Sequence, residues 1–348
     1  INTLFNIRSM TKTLTGAAIH LLIDRGKLSP DDKISKYLPG FDNDKSGSIT
    51  IEQLLTHRGG LPLTILSTAD EYDDLYTMAN AVGERGPDFE PGNKFWYSDA
   101  GADVLGAVIE VVGGIPLDRF IEENLLIPLE MKDTFYYVEA TRDDPRKDRI
   151  ASLYIGGKES WMRAWSPEEI FYPFTWGSQS LYSTPLDYAR FLAMLMGKGK
   201  YAGKRILSPE AVEKILDPIS RMSVLGSDLP MPTGFYNLKT YYGQMAVLHA
   251  EEESADVAKP VVIGHSGSDG TWAWAWPERD IIVLYFTQSR GNTTGILLES
   301  SIDEKFFYPE LRELNEEESK KYSRQIGVYY EETKRDPYIE VSVLIQNG

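Results

Sequence analysis

Cysteine is absent from the 348-residue chain. That excludes a disulfide framework, a thiolate nucleophile and a Cys-ligated zinc site, and it fits any redox compartment. Histidine occurs only four times, with no His-Glu-x-x-His or comparable ligand spacing, so no metal is expected. Cationic charge is scarce beside anionic: 36 Lys and Arg against 52 Asp and Glu leave a net charge of −16. With a pI near 4.8 and no local basic patch, the chain repels phosphate backbones, so neither nucleic acid nor an anionic membrane surface is an expected partner. No apolar run approaches the ~20 residues of a bilayer-spanning helix, so no integral membrane segment is expected. The start, INTLFNIRSMTK, has neither the charged n-region nor the apolar h-region of a signal peptide. It enters a helix abruptly, and further chain is expected upstream.

What is present reads as ordinary globular composition, 42% hydrophobic and 25% charged. The length allows two domains, or one large α/β body with an appendage. Leu14, Ala17, Ala18, Leu21 and Leu22 recur at helical spacing, which predicts an amphipathic helix over Thr11 to Arg25 stopped by Gly26. Thr50-Ile-Glu-Gln53 is a capping box opening a short helix, Ile51 to Thr56. Tyr97-Ser98-Asp99 precedes a long helix with Val104, Leu105, Val108, Ile109 and Val112 on one face, ending at Gly113-Gly114. Thr184-Pro185 and Ser208-Pro209-Glu210 each place a cap before a proline at the first helical position.

Strands gather late. Val261–Gly264 is short and apolar, and Trp272-Ala-Trp-Ala-Trp276 precedes Pro277. Ile281 to Phe286 has no polar alternation, the pattern of a central strand covered on both faces. Such a strand needs two neighbours. The tryptophan strand supplies one through a hairpin at Glu278-Arg279-Asp280; for the other, the alternating segment Tyr338–Gln346 (YIEVSVLIQ), a second copy of the chain or residues upstream of Ile1 are the candidates. Between these lies the acidic stretch NEEESKK, Asn315–Lys321.

Chemistry enters with Ser9-Met10-Thr11-Lys12 at the start of the first helix. Three residues is nearly one turn, so the Lys12 ammonium comes alongside the Ser9 hydroxyl. A serine needs an adjacent base to be a nucleophile, and a desolvated lysine can serve, while the helix N-terminus favours developing negative charge. Alone, the same four residues also describe a capping serine and a solvated lysine. Two later motifs decide between these. Ser-x-x-Lys, then Tyr97-Ser98-Asp99, then His265-Ser266-Gly267 on a late strand stand in the order of the serine β-lactamase and penicillin-binding-protein signature. The intervening blocks Thr3–Lys12, Leu54–Pro62, Phe95–Gly106 and Gly264–Gly267 resemble the class C β-lactamase-like family, which also holds esterases and D-amino-acid peptidases. The resemblance covers roughly residues 1–305.

The resemblance implies Ser9 as the acylated nucleophile, Lys12 as base or electrostatic partner, and Tyr97 as proton carrier with its phenolic pKa lowered by nearby cationic charge. The backbone N–H groups of Ser9 and Ser268, beside Gly267, would form the oxyanion hole. Three departures from the family pattern stand out. Asp99 replaces the usual Asn, an amide that in the family bridges the lysine and the substrate's acylamide. An ionised Asp would pair with Lys12, hold it cationic and offer no hydrogen-bond donor; alternatively it only caps the following helix. His265 replaces the usual Lys, and a neutral imidazole binds a carboxylate less well than an ammonium does. Finally, the two strands and helix that precede Ser-x-x-Lys in the family do not precede it in this sequence.

Of the remaining histidines, His57 is expected to be a structural turn residue, His20 solvated on the polar side of the first helix, and His249 solvated in a loop. Trp272, Trp274 and Trp276 form a stripe expected in the core, with Trp272 alternatively lining an acyl pocket. Trp161, Trp165 and Trp176 lie in a region that walls the site in the family, and Glu251–Glu253 reads as a solvated loop.

The expected fold is therefore mixed α/β, β-lactamase/transpeptidase-like: an antiparallel sheet flanked by helices, with a helical subdomain over about 26–216 and sheet strands over about 261–287. Residues 1–315 would form the hydrolase domain, and 316–348, with Ile326-Gly-Val-Tyr-Tyr330, a linker and the start of a C-terminal β domain. The expected activity is hydrolysis of a small-molecule carboxylic ester or small amide through an acyl-serine, without a cofactor. The alternatives are a D-amino-acid peptidase, amidase or weak β-lactamase acting on peptide or amide substrates, and a non-catalytic binding or assembly module.

Overall fold

A computed structural model describes residues 2–65, 71–157, 160–254, 257–290, 294–308 and 341–344. The acidic stretch 315–321 and the segment 326–330 lie outside the described residues.

The first helix, α1 (Thr11–Asp24), follows a single 3-10 turn at Arg8–Met10. Its residues from Thr11 to Leu22 are all buried, so it is enclosed on every side rather than amphipathic. It packs against α2 (Asp99–Gly113), and the side of Gly16 comes so close to the 244–245 turn that a Cβ there would sit 2.6 Å from the Met245 Cβ. His20 is consequently buried, not solvated, and its Nε2 lies 2.7 Å from Gln244 Oε1. Gly26 ends the helix region with φ +65°. The Thr50 capping box forms as its sequence predicts, with Gln53 N–H donating to Thr50 Oγ1 and Thr50 N–H to Gln53 Oε1. Helix α3 (Pro185–Met196) starts at the Thr184 cap.

Seven strands make the main sheet: β1 (Ser220–Arg221), β2 (Lys239–Tyr242), β3 (Val247–Ser254), β4 (Val257–Gly267), β5 (Thr271–Trp276), β6 (Ile281–Phe286) and β7 (Val341–Leu344). Each pairs antiparallel with its sequence neighbours, so the sheet is a meander ending at β7. The all-apolar β6 thus lies between β5 and β7, with Ile282 opposite Leu344, and α3 covers one face of β5 and β6. Smaller antiparallel pairings tie the start of the chain to later segments, Phe5 opposite Ser183.

His249 lies on β3, buried against Phe235 and Trp274 rather than exposed in a loop, because strand β3 reaches past it to Ser254; Glu251 and Glu252 continue the same strand. Trp274 and Trp276 are buried, as are Trp165 and Trp176, whereas Trp272 and Trp161 are half-buried. Trp165 and Trp176 are core residues, because the aromatic segment folds inward against Tyr182 and Tyr172. Among the described residues no single helix is long and apolar enough to cross a membrane.

Gly264, next to His265 on β4, has φ +154° and no room for a side chain: a Cβ would lie 1.9 Å from the Ala273 carbonyl oxygen. Gly264→Ala is expected to lose more than about 3 kcal/mol of stability, read as a lowered urea midpoint at unchanged slope.

Candidate functional site

Three segments converge on the first turn of α1. Ser9 is half-buried, and Lys12 follows one turn later with no exposed surface. A buried ammonium requires compensation, and the chain supplies it from three directions. Lys12 Nζ lies 2.6 Å from Asp99 Oδ1, donates to the Ser178 carbonyl at 3.1 Å and to Ser9 Oγ at 3.2 Å. It also sits 4.9 Å from the centre of the Tyr97 ring.

Asp99 is free to face Lys12 because it is not the helix cap. Ser98 holds that position, its Oγ accepting from Gly101 N–H at 2.9 Å and donating to the Pro62 carbonyl. Gln179 closes the polar ring: its Nε2 reaches Asp99 Oδ2 at 3.4 Å, and its Oε1 accepts from Arg8 at 3.4 Å and from the Tyr172 hydroxyl at 3.1 Å. One turn beyond Asp99, Asp103 is fully buried and accepts from Ser178 N–H at 2.8 Å; burial and the Asp99 charge push its pKa up to about 7.

The charge states follow from these contacts. Burial by itself would lower the Lys12 pKa, but Asp99 and Tyr97 outweigh it and hold the ammonium above its usual range. Tyr97 is buried in an apolar cluster with Phe95, Tyr242 and Trp274, and its side chain interacts with Ser9 and Lys12. The phenol is shifted upward, not downward as the resemblance implied, because burial outweighs the favourable charge of Lys12. Both groups are therefore protonated in the resting site near neutral pH.

His265 also faces this cluster, its ring centre 6.4 Å from that of Tyr97 and its Nε2 3.3 Å from the Tyr242 hydroxyl. Its Nδ1 lies between the Ser266 N–H at 2.9 Å and the Ser266 carbonyl oxygen at 2.8 Å; burial first, and then the Lys12 charge, lower its pKa to about 3, so the ring is neutral. His57 is the turn residue its context predicts, with φ +53° and its Nδ1 accepting from Ser98 N–H at 3.2 Å. It supports the Tyr97 segment from behind, its ring 4.5 Å from the Tyr97 ring.

At the end of β4, Gly267 lies against the first turn of the chain: a Cβ there would meet the Ile7 carbonyl at 2.5 Å and Thr271 Oγ1 at 2.2 Å. Only glycine lets the strand and the Ser9 turn approach so closely. Ser268 follows, exposed, and Trp272 stands half-buried across the hairpin, opposite Ser266. Residues 9, 12, 97, 99 and 265 thus share one polar and aromatic cluster, while 267 and 268 flank it from the sheet side. Sequence inspection missed Gln179 and Tyr242, which carry no motif, and also Arg8, Asp103 and Asp269, which lie within or beside the quoted blocks.

The chain belongs to the β-lactamase family, whose model matches residues 2–302. It is 33% identical over 326 residues to an uncharacterized protein of Mycobacterium tuberculosis, with 82% of this chain and 78% of that one covered. It is 26% identical over 243 residues to the N-acetylmuramyl-L-alanine amidase of Bacillus subtilis, covering 62% of this chain and 55% of that one. The octameric penicillin-binding protein homologue from Pyrococcus abyssi superposes with a TM-score of 0.62 at 26% identity, over 81% of this chain and 61% of that one. The chain thus spans between about half and four-fifths of the lengths of these relatives.

All four histidines are buried and their pKa values lowered, to about 4 for His20 and about 3 for His249 and His265, with His57 well below its usual range, in each case chiefly by burial. Their imidazole resonances are expected not to titrate between about pH 5 and 8, where a free histidine would; two-dimensional NMR of imidazole C–H groups reads this directly.

Proposed function

We propose that the chain is a serine hydrolase that cleaves a carboxylic ester or a small amide through an acyl-Ser9 intermediate. The observation that carries this is the hydrogen bond between Ser9 Oγ and the buried Lys12 ammonium, with Tyr97 against both. In this scheme Ser9 Oγ attacks the substrate carbonyl carbon as its proton passes to the Tyr97 phenolate. The oxyanion is received by the Ser9 and Ser268 N–H groups, and the leaving alkoxide or amine takes the proton back from Tyr97. Water then hydrolyses the acyl-enzyme by the same route in reverse. Lys12, held cationic by Asp99, stabilises both the phenolate and the oxyanion without itself accepting a proton.

Two features favour a simple ester over an amide or a carboxylate-bearing substrate. Asp99, ionised beside Lys12, offers no donor to an acylamide carbonyl. His265, neutral, presents no charge to a carboxylate. The amidase name of the Bacillus subtilis relative supports the amide alternative, and the residue at position 99 is where the two separate.

Hydrolysis of a short-chain p-nitrophenyl ester should fall to background in Ser9→Ala. Retention of wild-type activity there would remove Ser9 as the nucleophile. Because the reactive form is the Tyr97 phenolate, kcat should rise with pH and continue rising beyond about pH 10, the ordinary tyrosine range. The alkaline rise should be absent in Tyr97→Phe, with kcat reduced ~10²–10⁴-fold. Asp99→Asn restores an amide donor and lets the Lys12 pKa fall, and the ratio of amide to ester kcat/KM should increase by ~10-fold or more; an unchanged ratio would remove Asp99 from substrate selection.

A further inference from the structure

Arg8, immediately before Ser9, lies almost wholly buried and in a left-handed backbone conformation, φ +46°. A non-glycine residue is held there only when its surroundings over-determine it. They do so here. Arg8 N–H donates to Asn6 Oδ1 at 3.1 Å, and its Nε donates to Asp269 Oδ2 at 2.5 Å. The remaining guanidinium edge bonds the Tyr172 hydroxyl and Gln179, and its flat face lies 4.4 Å from the centre of the Phe171 ring. Asp269, itself buried, takes a second arginine on its other oxygen: Arg290 Nε at 2.5 Å, from a half-exposed side chain.

The two partners are 261 positions apart in sequence, and each adjoins one of the two backbone donors read above as the oxyanion hole. Arg8 precedes Ser9, whose N–H stands outside the helical ladder that begins with Met10 N–H donating to the Ile7 carbonyl at 3.1 Å. Asp269 follows Ser268, and its own carbonyl accepts from Ser289 N–H at 2.8 Å, which fixes the turn from the sheet side. A single buried ion pair therefore ties the segment carrying one donor to the segment carrying the other. A carboxylate with an arginine on each oxygen has a fixed plane and fixed lone-pair directions, so this link transmits position and not only attraction.

We propose that Arg8, Asp269 and Arg290 are positioning residues that set the distance between the Ser9 and Ser268 N–H groups. They act on the developing oxyanion and not on ground-state substrate. The inference rests on the acyl-Ser9 reading. It predicts a specific kinetic split, because a misaligned oxyanion hole loses transition-state stabilisation while leaving ground-state binding intact.

The test compares wild type, Ser9→Ala, Asp269→Asn and Arg290→Ala with a p-nitrophenyl ester, and measures inhibition by phenylboronic acid, whose tetrahedral adduct places an oxygen where the oxyanion forms. Folding of each variant is followed by near-UV circular dichroism. Asp269→Asn keeps shape and removes charge; kcat should fall ~10²-fold, about the loss of one oxyanion donor, with KM within ~3-fold and the boronic acid Ki raised in step with the loss in kcat. Arg290→Ala removes only the half-exposed anchor and should give the same pattern at ~5–10-fold, a fraction of that loss, so the proposal remains decidable if Asp269→Asn does not fold. Folded variants with wild-type kcat and boronic acid Ki would overturn the positioning role alone, as would a loss expressed in KM. A wild type without esterase activity, or a Ser9→Ala variant as active as wild type, would overturn the acyl-Ser9 reading and this inference with it.

Discussion

A full positive charge with no access to solvent, at Lys12, is the constraint around which the site is arranged. Taken out of water alone, such a charge would neutralise or unfold its surroundings. Here each neighbour is placed to prevent that: Asp99 supplies the counter-charge, the Ser178 carbonyl and Ser9 Oγ accept hydrogen bonds, and the Tyr97 ring offers its face. Ser98 takes over the capping of α2, so that Asp99 can turn inward, and Asp103 holds Ser178 from beneath. In the proposed scheme this ion pair makes Lys12 a fixed electrostatic element and leaves proton transfer to Tyr97.

Local signals made much of the fold legible. Caps at Thr50, Thr184 and Ser208 opened helices where the sequence placed them, because a capping side chain acts within three residues of itself; at α2 the cap is Ser98 and not Asp99, the residue weighed for it. The apolar run Ile281–Phe286 announced a doubly covered strand, and its second neighbour came from one of the three sources considered, Val341–Leu344. The misreadings share a cause. His20 and His249 look like surface residues by helical phase and flanking polarity, yet segments distant in sequence bury both. The direction of the Tyr97 shift failed likewise: the sequence shows the neighbouring cation, while the burial that outweighs it involves rings from distant segments, His57 and Tyr242 among them. Gln179 and Asp269 were invisible because their importance consists in what they touch across the fold.

The departures from the family pattern work together more than they do singly. With Lys in place of His265, a second ammonium would face Tyr97, and with Asn in place of Asp99 the buried Lys12 would lose its counter-charge. The pairing of a neutral imidazole with one carboxylate instead leaves a single cation and a single anion in contact. Under the proposed function that balance favours an uncharged substrate, because a substrate carboxylate would meet a neutral imidazole at His265 and carry its own desolvation penalty.

Because the polar ring around Ser9 draws on residues 8–12, 97–99, 178–179 and 265–269, no contiguous stretch of the chain contains it. During synthesis Ser9 and Lys12 leave the ribosome before their counter-charge, wall and strand, which arrive only as successive segments are added. An N-terminal portion of the chain thus has a serine beside a lysine with nothing to set the charge state of either, and closing contacts of this sequence separation is slow. The candidate site is in this sense a late product of folding: its assembly reports that the sheet, α1, α2 and the first turn have already found one another.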